Sequence, residues 1–364
     1  MSTPKPWHQV VTLRDDLLSG ELALNMFAAD LYEVAMQSGE RPVYEDPAQF
    51  FARTHATHNM RRLVGEVAKR LGGQSDKAVR KLALTYGGGK THTLITLLHF
   101  FGDPDALPDL PAVRDFLQAA GGQATPARVA TVAFDKLDVE KGMEVLSPAG
   151  ERRRLLHPWS LLAYQLAGND GLRILHKDNE PEERETPPTE QYLKEVLLAP
   201  AKDGLATLVL FDEVLLYARN KVALDDSWRK RIVDFFQALT QAVSKTDQAA
   251  LVVSLLANDL QAADPLGKRL EKELEEIVSR QKEEDVQPVE KRDVAQVLRQ
   301  QFFTPDAIDN TSAFRSHALG AVAAIASVDE HTERHLKLEE DRYTANYPFH
   351  PELTEVFYTK WTSI

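Results

Sequence analysis

Two short stretches carry residues whose types and spacing could do chemistry. In Lys81-Leu-Ala-Leu-Thr-Tyr-Gly-Gly-Gly-Lys-Thr-His92 an alternating apolar run meets three glycines and then Lys90-Thr91. This pattern reads as a buried strand, ending at about Tyr86, that delivers a phosphate-binding loop. Gly87, Gly88 and Gly89 have no Cβ, so their backbone N–H groups can close around phosphate oxygens, and the helix that follows points its positive end at the anion. Lys90 is then placed to reach the β- and γ-phosphates, and Thr91 to offer its hydroxyl to Mg²⁺. The usual pattern G-x-x-x-x-G-K-[ST] wants a glycine where this chain has Leu84. A glycine-rich turn at a helix start is the alternative.

The second stretch, Leu205-Ala-Thr-Leu-Val-Leu-Phe-Asp-Glu-Val214, is an apolar run ended by two adjacent carboxylates. A central parallel strand opening onto an active site looks like this. In the Walker B role Asp212 would hold the Mg²⁺ through water, and Glu213 would polarise an attacking water, as in additional-strand ATPases with an Asp-Glu pair. A buried strand whose acids merely start a loop is the plain alternative. The two stretches together favour an ATP site.

Elements must position these groups, and the pattern of the chain supplies them. The spacing predicts a helix over Leu22 to Met36, a helical segment from Pro47 to Arg70 broken near Thr57, and a helix after Lys90. Further strands are expected at Ala127 to Phe134, at Ala249 to Ala257 and, at an edge because of Pro288, at Asp285 to Val289. A hairpin is expected at Val145 to Leu155, and Lys177 to Pro188, charged and proline-containing, reads as a mobile surface loop. Phe27, Tyr44 and the Thr54 to Thr57 corner are candidates to touch a base. Ser254 and Asn258, at the exit of a strand, are candidate γ-phosphate sensors, with Asn258 preferred by position. Arg280, just before the last strand, could neutralise charge on the nucleotide of a neighbouring subunit. His55 and His58 show no third metal ligand in the sequence, and Asp135 suits a loop start.

The 364 residues allow one large or two ordinary domains, and 43 basic against 55 acidic residues give a net charge of −12. That balance argues against a broad nucleic-acid-binding surface, and Arg152-Arg-Arg154 reads first as a solvated face. The absence of cysteine excludes disulfides, thiolate zinc sites and a cysteine nucleophile. No apolar run is long enough for a membrane helix, and nucleotide use favours the cytoplasm.

Taken jointly, Ala28-Ala-Asp-Leu31, Pro47-Ala-Gln-Phe-Phe51 with Arg53-Thr54, Tyr86-Gly-Gly-Gly-Lys-Thr-His92, Val209-Leu-Phe-Asp-Glu213, Gln287-Pro-Val289 with Arg299 and Phe302, and Tyr347-Pro-Phe-His-Pro351 carry a resemblance. The chain resembles the large predicted P-loop ATPases of prokaryotic anti-phage defence islands, related to the ATPase of BREX and phage-growth-limitation systems. That family's loop commonly lacks the leading glycine. The resemblance implies an α/β, AAA+-like core with parallel sheet order 5-1-4-3-2 and a small C-terminal helical lid. It implies Lys90 and Thr91 on phosphate and Mg²⁺, Asp212 and Glu213 as the Walker B pair, and Arg280 in the arginine-finger place. Joined to the readings from the residues, the expected site has ATP and Mg²⁺ as cofactors, Gly87, Gly88, Gly89, Lys90, Thr91 and His92 on the nucleotide, Thr91 and Asp212 on the metal, and Glu213, Lys90, Arg280 and Asn258 in catalysis.

The expected organisation is a helical segment over 1–76, an ATPase core over 77–289 with an insertion at about 137–204, and a lid over 290–364. Family members are typically longer, so the chain is expected to be an N-terminal part. Arg299 stands alone where relatives often carry two arginines. The implied role is motor or switch in a defence complex, with self-association or other defence proteins as partners and DNA contacted, if at all, by regions outside this chain. The rivals are a nucleotide-gated scaffold with negligible turnover and a DNA-remodelling ATPase.

Overall fold

Strand Ala206–Asp212 shows how the sequence pattern builds two cores. Its residues alternate between faces: Leu208 and Leu210 enter one apolar cluster, Val209 and Phe211 the other, and all are fully buried. The computed structural model describes residues 7–18, 28–83, 89–255, 264–279, 285–308 and 311–360. In these, β1 (Val79–Leu82), β2 (Ala127–Ala133), β5 (Ala206–Asp212) and β6 (Ala249–Ser254) form a parallel sheet in the order β1-β6-β5-β2, while β3 (Met143–Leu146) and β4 (Arg152–Leu155) pair as an antiparallel hairpin.

Because all four sheet strands run the same way, their carboxyl ends gather at one rim, which is where open α/β sheets place ligands. Helices His58–Leu71 and Lys90–Gly102 cover one face, packing Leu63, Val64, Leu94 and Phe100 on Leu208 and Leu210. Helices Pro158–Leu175, Glu190–Leu198 and Ser227–Ser244 cover the other, where Phe134, Phe211, Phe235 and Phe236 meet edge to face. Within Pro158–Leu175 the helix breaks at Gly168, φ +59°, so a first piece ends at Ala167 and a second follows.

Arg70 ties the far end of the sheet. The residue is 3 % exposed, and its guanidinium donates to the carbonyls of Ala249, Ser75, Val243, Ser244 and Thr246 at 2.6–3.3 Å. One side chain thereby fixes the start of β6 against the end of helix Ser227–Ser244.

Two expectations need correction, and a third is described only in part. Of the helix expected over Leu22 to Met36, the described part begins only at Leu31, where the Asp30 carboxylate accepts the N–H groups of Tyr32 and Glu33; Leu22 to Phe27 lie outside the described residues. The segment Asp285 to Val289 forms no strand, only a parallel bridge of Val286 to Leu82, because Pro288 has no N–H to extend a ladder. The charged segment 177–188 is docked rather than mobile. Glu183 accepts the N–H groups of Leu156 and His157, the Arg184 carbonyl accepts Trp159 Nε1–H, and Arg153 pairs with Glu182. Two elements carried no clear periodic signal: the helix Val214–Leu224 after the acids, and Leu336–Asn346 in the C-terminal part.

The C-terminal part packs helices Val294–Phe302, Thr311–Ala326, Leu336–Asn346 and Pro351–Lys360 together. Arg299 lies buried among them, donating to the Tyr347 carbonyl at 2.5 Å over the ring of Phe314. Residues near the start of the chain join this part: Leu13 bridges Phe303, and Val11 enters the same small cluster as Phe314 and Tyr347. Among the described residues, no helix is long and apolar enough to cross a membrane.

Candidate functional site

The two chemistry-bearing stretches meet at the carboxyl rim. Gly89, at φ +107°, ends the glycine turn and caps the helix that Lys90 opens. Only glycine takes this backbone without strain, and a Cβ here would stand 3.0 Å from Val289 Cγ2. On the first turn of that helix Thr91 Oγ1 donates to Asp212 Oδ2 at 2.7 Å, across 121 positions of sequence. Asp212 closes β5, two strands from β1 with β6 between them, so the contact spans the middle of the sheet.

Asp212 is 3 % exposed. Burial pushes its carboxyl up; the Thr91 and Ser254 hydroxyls and the Lys90 ammonium oppose that, and Asp135 adds to it. Its second oxygen, Oδ1, completes no hydrogen bond of ordinary geometry, and neither does the buried Ser254 Oγ at the end of β6, although the two groups are close enough to act on one another. A buried carboxylate oxygen without a partner is costly unless something polar meets it.

Glu213 follows in the left-handed conformation, φ 56° and ψ 39°, and caps helix Val214–Leu224. A non-glycine residue there is unusual and stores strain of about 1 kcal/mol or more. Burial first, then Asp212 and Asp135, push its carboxyl up to about 7, against the pull of Lys90 and Lys136. A carboxylic acid poised near neutral pH suits proton exchange with a water. One acid therefore suits a cation and its neighbour suits a proton, which is a division of labour set by environment.

His92, expected on the nucleotide, turns its ring the other way. Its Nε2 lies 3.0 Å from Thr54 Oγ1, and the ring packs on Phe50 and Tyr44. Thr54 gives its own proton to the Phe50 carbonyl, which leaves His92 Nε2 the donor. Burial, with His99 nearby, lowers the imidazole to about 4, so it is neutral at physiological pH. Its side chain is thus part of the floor formed with Thr54, Phe50 and Tyr44 of the N-terminal elements.

The corner Thr54 to Thr57 lies beside the same turn. Thr57 Oγ1 donates to the Pro288 carbonyl at 2.5 Å, Asn59 Nδ2 donates to Gln287 O and Glu290 Oε1, and Gln300 and Gln301 donate to the carbonyls of Ala52 and Arg53. The corner therefore clamps the segment 287–290 against Gly89. Gly87, Gly88, Asn258 and Arg280 lie outside the described residues, as does Phe27.

Two residues entered the site without being expected. Lys136 in the turn after β2 and Asp30 in the N-terminal segment form an ion pair of 3.0 Å beside Asp135. The only local signal was Asp30 preceding a helical run, which marks a cap and not a site. The arginines of β4 are all engaged within the chain, Arg152 by Glu144, Arg153 by Glu182 and Asn169, and Arg154 by the Gly142 carbonyl. They form no open basic patch. A cleft of about 190 Å³, lined by neither Asp212 nor Glu213, lies between β2, Tyr32, Met36 and the β3–β4 hairpin, where Gln165 caps both backbone groups of Thr131.

Among the described residues no group of three or more histidines and carboxylates could hold a metal ion. Mg²⁺ that is shared with substrate phosphates needs no such group, since one or two protein oxygens suffice. Asp212 Oδ1 and the Thr91 hydroxyl are oxygen donors of that kind, and the unmet Oδ1 fits a hydrated cation.

The DUF499 N-terminal domain matches residues 8–290, and the chain belongs to that family. No curated protein and no solved structure matches it significantly.

Proposed function

We propose that this DUF499 chain binds ATP with Mg²⁺ and hydrolyses it at the rim where Lys90, Thr91, Asp212 and Glu213 meet. The observation that supports this most is the 2.7 Å hydrogen bond from Thr91 to Asp212, which puts the glycine-lysine-threonine turn and the acid-ended strand in one site. The reading includes an AAA+-like P-loop core. With β1, β2, β5 and β6 counted as strands one to four, the described sheet runs 1-4-3-2, and the isolated bridge of Val286 to Leu82 of β1 is what supports a fifth segment beside β1 in this reading.

In this reading Lys90 holds the β- and γ-phosphates, and Thr91 and Asp212 hold the cation, which when bound neutralises phosphate charge. Glu213 takes a proton from a water whose oxygen attacks the γ-phosphorus, the bond to the β-phosphate oxygen breaks, and ADP and phosphate leave. The resemblance to defence-island ATPases adds the context of a motor or switch in an anti-phage complex. The net charge of −12 and the internally paired arginines of β4 weigh against direct DNA remodelling by this chain.

The test is a fluorescent ATP analogue titrated onto the wild type, Lys90→Ala and Glu213→Gln, with phosphate release measured in parallel. Lys90→Ala should lose binding. Glu213→Gln should keep ATP bound and lose turnover by 100-fold or more, on the order expected for a general base. Unchanged binding in Lys90→Ala would end the ATP reading, and negligible turnover in the wild type with intact binding would make the chain a nucleotide-gated scaffold.

A further inference from the structure

Among the described residues β2 is an edge strand, since the sheet runs β1-β6-β5-β2. The Phe134 N–H donates to the Asp212 carbonyl and the Ala206 N–H to the Pro126 carbonyl, so the even-numbered positions turn their backbone groups to β5. Alternate residues of a ladder turn theirs the other way. At Thr131 the side-chain amide of Gln165 meets both outward groups: Oε1 accepts the Thr131 N–H at 3.0 Å, and Nε2 donates to its carbonyl at 2.8 Å. A glutamine amide carries the donor and acceptor of a peptide unit, so it stands where a further strand would pair. Val129, two residues earlier, has the same orientation, and among the described residues no hydrogen bond meets its outward N–H or carbonyl.

The cleft of about 190 Å³ runs along this edge, with Tyr32 and Met36 of helix Leu31–Met36 and Val145 and Pro148 of the hairpin among its apolar walls. It is smaller than the roughly 300 Å³ at which small-molecule pockets usually begin, and so suits a narrow extended chain better than a nucleotide. Arg128 also lines it. Its Nη2 pairs with Asp203 at 3.3 Å, while its Nε is buried without a partner. A buried donor left unmet is costly, and the strongest acceptor for a guanidinium is a carboxylate.

We propose that the free edge of β2 is a docking groove for an extended, acidic peptide segment of a partner protein, which adds as a strand, exchanges hydrogen bonds with Val129 and sets a carboxylate on Arg128. The surroundings select this occupant over a helix or a small anion. The unmet Val129 pair calls for backbone, the apolar walls for side chains, and the Arg128 Nε for an acid. Gln165 closes the edge at Thr131, so the pairing is short and its specificity comes from the side chains. The inference goes beyond the ATP reading and does not depend on it.

The experiment titrates the acetylated and amidated peptide Thr-Val-Glu-Val-Thr onto the nucleotide-free full chain labelled with ¹⁵N-valine, and follows the Val129 amide signal, assigned with Val129→Ile. The signal should shift and saturate. The same peptide with its backbone N-methylated on both sides of the glutamate keeps its side chains but cannot pair as a strand, and should bind about tenfold or more weakly; equal binding overturns strand addition. Replacing the peptide's glutamate by glutamine should weaken binding about fivefold, and Arg128→Gln in the chain should erase that difference; a difference that persists overturns the acidic specificity. No saturable shift with several millimolar peptide, or shifts elsewhere with Val129 unmoved, overturns the proposal. A Val129 signal that moves with protein concentration alone would give the edge to a second copy of this chain and overturn the partner reading. Because no nucleotide is present, none of these outcomes turns on whether the chain hydrolyses ATP.

Discussion

Replacing Glu213 by glutamine should change how the stability of the chain responds to pH. The wild-type carboxyl titrates near its ordinary 4.5 when unfolded and at about 7 when folded, because burial, Asp212 and Asp135 disfavour its charge. The folded state therefore holds the proton over a window in which the unfolded state has lost it. Stability is fully present below the unfolded value, falls by about 1.4 kcal/mol per pH unit through the window, and levels off above the folded value. For a fully shielded group, the loss between pH of about 5 and about 8 would be roughly 2.5 kcal/mol. Solvent reaches part of this half-buried side chain, so about 1 to 2 kcal/mol is expected. Glutamine carries no charge in either state and should lose less stability over that range by this amount. Urea unfolding of both proteins at the two pH values measures the difference directly, and subtraction removes the other titrating groups. Parallel pH dependences, or a glutamine variant that loses more stability than the wild type over that range, would refute the assignment of a strained, desolvated acid at this position. The assay needs no nucleotide, so it judges the electrostatics apart from the function.

Arg70→Met should destabilise the fold by about 3 kcal/mol or more, because it leaves several buried carbonyls at the β6 end without a donor; a loss under about 1 kcal/mol in urea unfolding would contradict that role. Gly89→Ala must adopt φ +107° and press on Val289. It should cost about 1 to 2 kcal/mol and weaken ATP-analogue binding severalfold, and unaltered binding would show that the turn does not set the phosphate site.

The chain fixed several things by local pattern alone. Three glycines before Lys90-Thr91 and an apolar run before Asp212-Glu213 were legible because each rests on neighbouring residues: missing side chains that free a backbone, and alternation that marks a strand buried on both faces. The broken helix around Thr57 and the hairpin at Pro148 to Gly150 were legible for the same reason, since caps and turns are local.

What the tertiary structure decided was who meets whom. Thr91 and Asp212 are 121 positions apart, and their contact exists only because four strands pack in one order with their carboxyl ends together. His92 read as a nucleotide contact because it follows Lys90-Thr91, yet the aromatic floor of Phe50 and Tyr44 draws its ring to Thr54. The segment 177–188 read as loose because it is charged, but its acids and carbonyls found unfilled N–H groups on Leu156, His157 and Trp159. Asp30 showed only as part of Ala28-Ala-Asp-Leu31 and as a helix start, and Lys136 gave no signal. Periodicity reports how much of a residue is buried; which distant charge or hydrogen bond compensates that burial is settled only when the whole chain has packed.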